Sequence, residues 1–193
     1  MNAITLLKDD HRRVKALFAR YRRLGPRARK AKEGLVDALT RELAQHAMLE
    51  EAVFYPECRA RVPDTTDDVL ESLEEHHIVK WTLEELRTMD ASNERYDAKV
   101  TVLIENVTHH MREEEQALFP EVSRRLSRRD LNEIGEALEA VRNIAPTEPH
   151  PKAPDEPPDN LLVAVGAAPV DVVGDAVEEL FRGLPQRSSS SPN

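Results

Sequence analysis

Apolar residues recur at alternating steps of three and four along the first 125 residues, which is the spacing of one face of an α-helix. Four such stripes predict four helices. The first begins near Ile4 and ends at Gly25-Pro26, and the others span about residues 28–54, 69–90 and 94–119. Helices joined by short turns pack as antiparallel neighbours. The sequence therefore predicts an all-α fold: an up-down-up-down four-helix bundle over about residues 1–125, with extra C-terminal helices.

Each predicted helix carries a histidine on its apolar stripe, where the interior of the bundle is expected. The four are His11, His46, His76 and His110. His11 lies near the start of the first helix and His46 near the end of the second, which runs in the opposite direction, and the second pair repeats this arrangement. We therefore expect all four imidazoles near one level of the bundle.

An internal repeat adds a carboxylate to each half. The segment HAMLEEAVFYP at residues 46–56 returns as HMREEEQALFP at residues 110–120. In each copy a Glu follows the His by four residues, Glu50 in the first and Glu114 in the second, so the two side chains lie one turn apart on one helix face. Upstream, DHRRVK at residues 10–15 returns as EHHIVK at residues 75–80. The bundle is therefore predicted to be two copies of one helix pair.

The repeat directs four imidazoles and two carboxylates toward one place, and iron favours such mixed nitrogen and oxygen ligands. If the two carboxylates bridge two cations, a dinuclear centre follows. The predicted ligands are His11, His46, Glu50, His76, His110 and Glu114. With two histidines on each iron and an oxo or hydroxo bridge, each ion keeps about one open position. A lone histidine would more often be a hydrogen-bonded core residue, but two copies in register reverse that expectation.

Two other kinds of metal site match the pattern less well. Ferritin-like di-iron proteins use Glu-x-x-His twice, and the matching pair here, Glu74 and His77, occurs once. Zinc sites usually hold one ion with three or four ligands, so six converging ligands favour two iron ions as the cofactor.

Tyr55 and Lys80 are candidates for a second layer around the predicted centre. Tyr55 ends the second helix near the site, where its phenol can donate a hydrogen bond, ligate or pack. Packing is favoured because Phe119 occupies the equivalent place in the repeat. Lys80 lies one turn after His76 and is expected either to reach the open coordination face or to extend to solvent.

Other polar neighbours of the ligands are expected to point away from the interior. His77 and His109 are adjacent to ligands and are assigned to the surface or the second layer, because a helix rotates about 100° per residue. Glu51, Glu113 and Glu115 are interpreted as a solvated acidic face that hydrogen-bonds the ligand histidines.

Composition limits the partners and the location. The net charge of −9 argues against nucleic acid, and the basic residues of the first helix are interpreted as a solvated face. The chain contains neither a run of about 18 apolar residues nor a signal-peptide pattern, so we expect no membrane association and a cytoplasmic location. The lone Cys58 agrees, because it cannot form an intramolecular disulfide.

The chain after residue 125 is predicted to contain four segments. Residues 126–144 form an additional helix packed on the bundle, opened by the capping sequence SRRD that begins at Ser127. Residues 145–160 are proline-rich and are interpreted as a linker. Residues 161–184 hold a short amphipathic segment that docks on the bundle or on a protein partner, and residues 185–193 are a serine-rich, disordered tail.

The motifs resemble those of the hemerythrin-like, or HHE cation-binding, family, whose pattern is H…HxxxE…H…HxxxE. The resemblance covers about residues 1–125, and the six predicted ligands match the pattern one for one. It implies a non-haem di-iron centre in a four-helix bundle that binds or reacts with O₂, peroxide or nitric oxide. Oxygen-carrying hemerythrins differ, since they use a fifth His where this chain has Lys80, and an Asp in place of the last Glu. With both irons open, redox chemistry or sensing is favoured over transport.

The favoured function is peroxide or O₂ chemistry in oxidant or nitrosative stress, with peroxide or a small diatomic molecule as the ligand. A catalase-like or peroxide-reducing enzyme is one form of this hypothesis. The first alternative is a non-catalytic iron, oxygen or redox sensor, or an iron-holding module, that signals through residues 161–184. The second alternative is O₂ storage or carriage.

Overall fold

The computed structural model describes residues 1–143, 145 and 151, and the regular elements among them are helical. The elements are α1 (Ala3–Arg22), α2 (Arg29–Leu49), the π-helical turn π1 (Glu50–Phe54), α3 (Tyr55–Arg61), a 3₁₀ turn (Pro63–Thr65), α4 (Thr66–Thr88), α5 (Tyr96–Glu113), the π-helical turn π2 (Glu114–Leu118), α6 (Phe119–Arg125) and α7 (Arg128–Arg142). Helix α1 packs on α2 and α4 on α5, while α2 also contacts α4 and α1 contacts α5. These contacts close the predicted four-helix bundle.

The second and fourth helical segments continue further than predicted. Helix α2 passes through π1 into α3 as far as Arg61, and α5 passes through π2 into α6 as far as Arg125. Pro56 and Pro120 do not end them. In each π turn the hydrogen bond reaches back five residues, from Tyr55 N–H to the Glu50 carbonyl and from the Phe119 N–H to the Glu114 carbonyl. The wider turn accommodates a proline that would break an ordinary α-helix.

Two hydrophobic clusters fill the bundle, one toward each end. The first includes Leu7, Leu49 and Phe54, and the second includes Val14 and Leu39. The polar side chains of the predicted centre lie between these clusters, since His11 follows Leu7 and precedes Val14 on the same face of α1. Apolar packing on both sides therefore shields a polar layer from water.

Helix α7 packs against α1 and π1 and so covers one side of the bundle. Its apolar stripe, Leu131, Ile134, Leu138 and Val141, is buried. The predicted capping start is confirmed, because Ser127 and Asp130 form a reciprocal capping box. The helix approaches the N-terminus so closely that a Cβ at Gly135 would overlap the Met1 carbonyl oxygen.

Helix α5 begins after Arg95, whose backbone N–H donates to the Asn93 side chain at 2.9 Å. Part of the predicted organisation lies outside this description. The interpretations of residues 145–160, 161–184 and 185–193 fall outside the described residues, apart from positions 145 and 151. Among the helices described, none has the length and apolar character needed to cross a bilayer.

Candidate metal centre

The six predicted ligands meet in the polar layer, and their side chains are between 0 and 5% exposed. They come from four separate helical segments. The contributing elements are α1 (His11), α2 (His46), π1 (Glu50), α4 (His76), α5 (His110) and π2 (Glu114). The bundle therefore brings to one level six side chains that are spread over 104 residues of the sequence, from His11 to Glu114.

The histidines face one another in pairs. His11 Nε2 lies 3.2 Å from His46 Nε2, and His76 Nε2 lies 3.1 Å from His110 Nε2. Two nitrogens at this separation can share at most one proton, so a lone pair remains directed into the space between the rings. The sequence predicts two histidines on each ion, and each of these pairs could supply them.

Each glutamate lies between the two pairs. Glu50 Oε2 is 3.2 Å from His46 Nε2 and 3.4 Å from His76 Nε2. Glu114 Oε2 is 3.2 Å from His11 Nε2 and 3.5 Å from His110 Nε2. Both carboxylates therefore contact one histidine of each pair, which is the placement that a bridging ligand requires.

The donor atoms form two overlapping groups suited to cations. One group contains His11, His46, Glu50 and Glu114, and the other contains Glu50, His76 and His110, with all ligand atoms in a group within 4.8 Å of one another. Three buried atoms in this layer have no hydrogen-bond partner: His46 Nδ1, Glu50 Oε1 and Glu114 Oε2. Buried polar atoms without partners are costly, and coordination to a metal would satisfy carboxylate oxygens of this kind. The donor set fits a pair of iron ions.

Burial sets the protonation states of the metal-free layer. It raises the pKa of Glu50 well above its ordinary value, and the neighbouring Glu114 carboxylate raises it further. For Glu114, burial also raises the pKa, but the adjacent His110 and His11 outweigh it and the net shift is downward. Burial lowers the pKa of His76 well below its usual range and that of His46 to about 4. These two imidazoles are therefore held in the neutral form that binds metal.

Both glutamates begin a π turn. Glu50 is the first residue of π1 and Glu114 the first of π2, each directly after an α-helix that carries the paired histidine. A π turn inserts one extra residue into the helical repeat and so rotates the residues that follow it. In this way π1 brings Glu51 and Tyr55 toward the polar layer, and π2 brings Glu115 and Phe119 toward it.

A carboxylate faces the outer nitrogen of each ligand histidine. Glu115 lies 2.9 Å from His11 Nδ1, Glu51 lies 2.9 Å from His76 Nδ1 and Glu75 lies 2.8 Å from His110 Nδ1. For His46 the facing group is Asp10, whose Oδ2 lies 3.6 Å from Nδ1. A carboxylate in this position holds the ring and keeps its proton on Nδ1, which turns the Nε2 lone pair inward.

The sequence anticipated half of these carboxylates. The predicted contacts of Glu51 and Glu115 with ligand histidines are present, but Glu51 is only 2% exposed and does not belong to a solvated face. Asp10 and Glu75 were missed. Their signal is visible in the repeat, where an acidic residue immediately precedes the first histidine of each copy.

Two lysines at equivalent repeat positions bind the outer carboxylates. Lys80 donates to Glu51 at 2.8 Å, and Lys15 donates to Glu115 at 2.7 Å. Lys80 is 9% exposed and pairs with Glu51, so it does not extend to solvent. It belongs to a chain of lysine, carboxylate and histidine beside the centre.

Tyr55 does more than pack. Its hydroxyl donates to Glu114 Oε1 at 3.0 Å and lies 3.4 Å from Glu50 Oε2. Burial, followed by the charges of Glu114 and Glu50, raises the pKa of this phenol well above its usual value. The repeat equivalent, Phe119, instead stacks on the His11 ring at 5.7 Å. The two halves therefore differ at the position where the repeat suggested a common packing role.

His77 and His109 point away from the ligands, as expected. His77 Nε2 accepts from Trp81 Nε1 at 3.1 Å. His109 Nε2 lies 3.1 Å from Glu113 Oε1 and 3.9 Å from Glu75 Oε1. The second of these contacts places His109 beside a carboxylate that also holds a ligand histidine.

A cavity of about 190 Å³ approaches the centre between α4 and π2. It is lined by Asp68, Glu71, Ser72, Glu113, Glu114, Ala117 and Leu118. Glu114 is thus both a predicted ligand and part of the cavity wall. The cavity therefore adjoins the polar layer at Glu114.

Comparison with known families agrees with this geometry. The family model of the hemerythrin HHE cation-binding domain matches residues 2–122. The chain belongs to the hemerythrin HHE family. The match covers α1 to α5, both π turns and the first part of α6, and therefore all six predicted ligands.

Three individual proteins are similar to this chain. An uncharacterized hemerythrin-like protein of Schizosaccharomyces pombe is 30% identical over 139 residues, which cover 72% of this chain and 68% of the relative. A protein of Nostoc named DNA nickase is 26% identical over 143 residues, but the matched part is 40% of its length. The crystal structure of a hemerythrin HHE cation-binding domain-containing protein from Mycobacterium kansasii shares the fold, with a TM-score of 0.63 and 25% identity over 74% of this chain and 86% of that one.

Proposed function

We propose that this hemerythrin-like protein is a non-haem di-iron protein that carries out peroxide or O₂ chemistry in oxidant or nitrosative stress. The observation that supports it most is the position of Glu50 and Glu114, each within 3.5 Å of one histidine from each pair. A pair of metal ions explains why two buried carboxylates and four imidazoles converge while Glu50 Oε1 and Glu114 Oε2 lack a hydrogen-bond partner.

In this proposal His11 and His46 would hold one iron, His76 and His110 would hold the other, and Glu50 and Glu114 would contribute carboxylate oxygens to both. Iron suits this mixture of imidazole nitrogen and carboxylate oxygen. When bound, the iron pair would supply a site for a small oxidant and would accept or give up electrons.

The surrounding residues prepare the site for that chemistry. Glu51, Glu75 and Glu115 keep the ligand rings oriented and their Nδ1 atoms protonated. Tyr55 holds its proton and donates it as a hydrogen bond to Glu114 Oε1. The hydrophobic clusters on either side exclude bulk water, while the acidic cavity beside Glu114 admits uncharged molecules such as peroxide.

The test combines iron content with the optical spectrum before and after peroxide is added. We expect about two irons per chain, absorption from a ferric pair, and oxygen evolution or steady peroxide consumption. The variant His110→Ala should lose iron and turnover, whereas His77→Ala, which alters a histidine outside the polar layer, should keep both. A folded wild-type protein that takes up no iron would refute the proposed centre.

A second function, iron or redox sensing, is favoured by one particular contact. Arg142, at the end of α7, donates to Asp10 at 2.7 Å, and the same Asp10 oxygen faces His46. The helix that leads into residues 145–193 is thus tied to the metal layer. In this alternative, loss or oxidation of iron loosens α7 and changes the exposure of the C-terminal chain. Limited proteolysis with and without iron, together with the peroxide assay, distinguishes the sensor from the enzyme. Cleavage after residue 142 that depends on iron, with a single spectral change and no peroxide turnover, favours the sensor.

A further inference from the structure

A second group of metal-binding side chains lies on the surface next to the buried centre. Glu75, His109 and Glu113 offer three ligand atoms within 4.8 Å of one another. Their side chains are 21, 47 and 45% exposed, so an ion in solution can reach them. One imidazole and two carboxylates form an incomplete ligand set, in which water fills the remaining positions. Such sites bind divalent ions weakly and release them readily.

Glu75 joins this surface group, hereafter the outer trio, to the buried centre. Its Oε1 lies 3.9 Å from His109 Nε2, while its Oε2 lies 2.8 Å from His110 Nδ1. A single carboxylate therefore borders an exposed ligand on one side and a predicted iron ligand on the other.

The acidic cavity provides a path inward from the outer trio. Glu113 belongs to the trio and also lines the cavity, together with Asp68 and Glu71. Glu114, whose Oε2 is buried and has no hydrogen-bond partner, also lines the cavity. A cleft lined by acids raises the local concentration of cations, so the cavity favours metal ions that move toward the centre.

The other half of the repeat has no equivalent trio among its described residues. The matching positions are Asp10, Gln45 and Leu49. There Gln45 donates to the Arg142 carbonyl at 3.2 Å and Leu49 is fully buried in the cluster that includes α7. The outer trio therefore occurs on the side of the bundle that α7 does not cover.

We propose that Glu75, His109 and Glu113 bind a divalent metal ion at the surface and deliver it through the adjoining acidic cavity to the buried centre. The delivery step rests on the proposed di-iron function, whereas the surface site does not. Arg112 opposes binding: its guanidinium donates to His109 Nδ1 at 3.0 Å, and metal on Nε2 requires that Nδ1 carry the proton. Arg112 is exposed and must turn away when the ion binds.

Metal-free, full-length protein is titrated with cobalt(II) under anaerobic conditions, and both the number of bound ions and the rate at which the buried site fills are measured. We expect three ions per chain in the wild type. His109→Ala and Glu113→Gln should bind two, and their buried sites should fill about tenfold more slowly. His77→Ala is the matched control and should bind three at the wild-type rate. Arg112→Ala should bind the third ion more tightly. Glu75 is not substituted here because it also supports His110.

The outcomes separate this proposal from the proposed function. If His109→Ala and the wild type bind equal numbers of ions at equal rates, the surface site is refuted. If the third ion is lost but the buried site fills at the wild-type rate, delivery is refuted. If the wild type binds a single ion that His109→Ala loses, the outer trio stands and the di-iron function fails.

Discussion

The two halves of the bundle present the same ligands in different surroundings. In the α1–α2 half, α7 covers the outer face and Arg142 binds Asp10. In the α4–α5 half, none of the described helices outside the bundle covers the equivalent face, which carries the outer trio. The repeat therefore preserves the predicted ligands while the layers around them have diverged.

The lysine and carboxylate pairs differ in the opposite direction: the pair that includes Lys80 of α4 is more buried than the pair that includes Lys15 of α1. Lys80 and Glu51 are buried, with side chains 11 and 1% exposed. Their repeat equivalents, Lys15 and Glu115, are 42 and 30% exposed. Although Glu51 belongs to the first copy of the repeat, it holds His76 of the second, and Glu115 correspondingly holds His11. The carboxylate and lysine beside His76 are therefore less exposed to solvent than those beside His11, so the two candidate metal positions have different surroundings.

Neutralising each lysine tests this difference and should give the largest effect. Lys80→Met removes the cation beside a buried carboxylate, and we expect the free energy of unfolding of the metal-free protein to fall by about 3 kcal/mol. Lys15→Met disrupts an exposed pair and should cost less than about 1 kcal/mol. Urea unfolding followed by circular dichroism measures both.

A further substitution separates lost charge from lost packing at Lys80. Adding Glu51→Gln to Lys80→Met removes the buried negative charge while retaining an oxygen that accepts from His76 Nδ1, so part of the lost stability should return. Equal losses for Lys80→Met and Lys15→Met would show that the difference in burial has no energetic consequence.

The acids that precede the first histidine of each copy provide the next comparison. Glu75→Gln weakens the group that holds His110, and we expect metal affinity to fall roughly 10- to 100-fold. Asp10→Asn alters a longer contact, 3.6 Å from His46, but also an ion pair with Arg142. Asp10→Asn should therefore mainly lower the stability of the metal-free protein, whereas Glu75→Gln should mainly lower metal affinity. Competition with a chelator measures metal affinity, and thermal unfolding measures stability. If the two variants lost affinity and stability in the same ratio, this difference between Asp10 and Glu75 would be contradicted.

The sequence was sufficient for the bundle and for the convergence of the six predicted ligands. Helical periodicity places His11 and His46 on interior stripes, and antiparallel packing then requires that they meet at one level. The spacing of His and Glu adds a carboxylate from the same face. These conclusions depend on geometry within one helix and on the order of the helices, and both can be read from residue spacing.

The details missed depend on hydrogen-bond partners that residue spacing does not reveal. The π turns at Glu50 and Glu114 have no simple spacing signature, because they depend on a change of hydrogen-bond partner within a continuous helix. Asp10 lies beside one ligand but faces a histidine on the next helix, and residue spacing within α1 does not reveal that contact. For Tyr55 the repeat itself was misleading, since Phe119 suggested packing where the added hydroxyl makes a hydrogen bond.

Tyr55→Phe makes the two halves alike at this position and should have a small effect on stability. It removes the hydrogen bond to Glu114 Oε1, and we expect a loss of about 1 kcal/mol. Tyr21→Phe is the matched control, because that hydroxyl donates to Asp97 at 2.7 Å in the second hydrophobic cluster, away from the polar layer. Both variants should lose comparable stability, but only Tyr55→Phe should change the absorption of the iron-loaded protein and its reaction with peroxide. If both variants kept the wild-type spectrum and rate, the Tyr55 hydroxyl would serve only to satisfy a buried carboxylate, and the difference between the halves would lie in the outer layers alone.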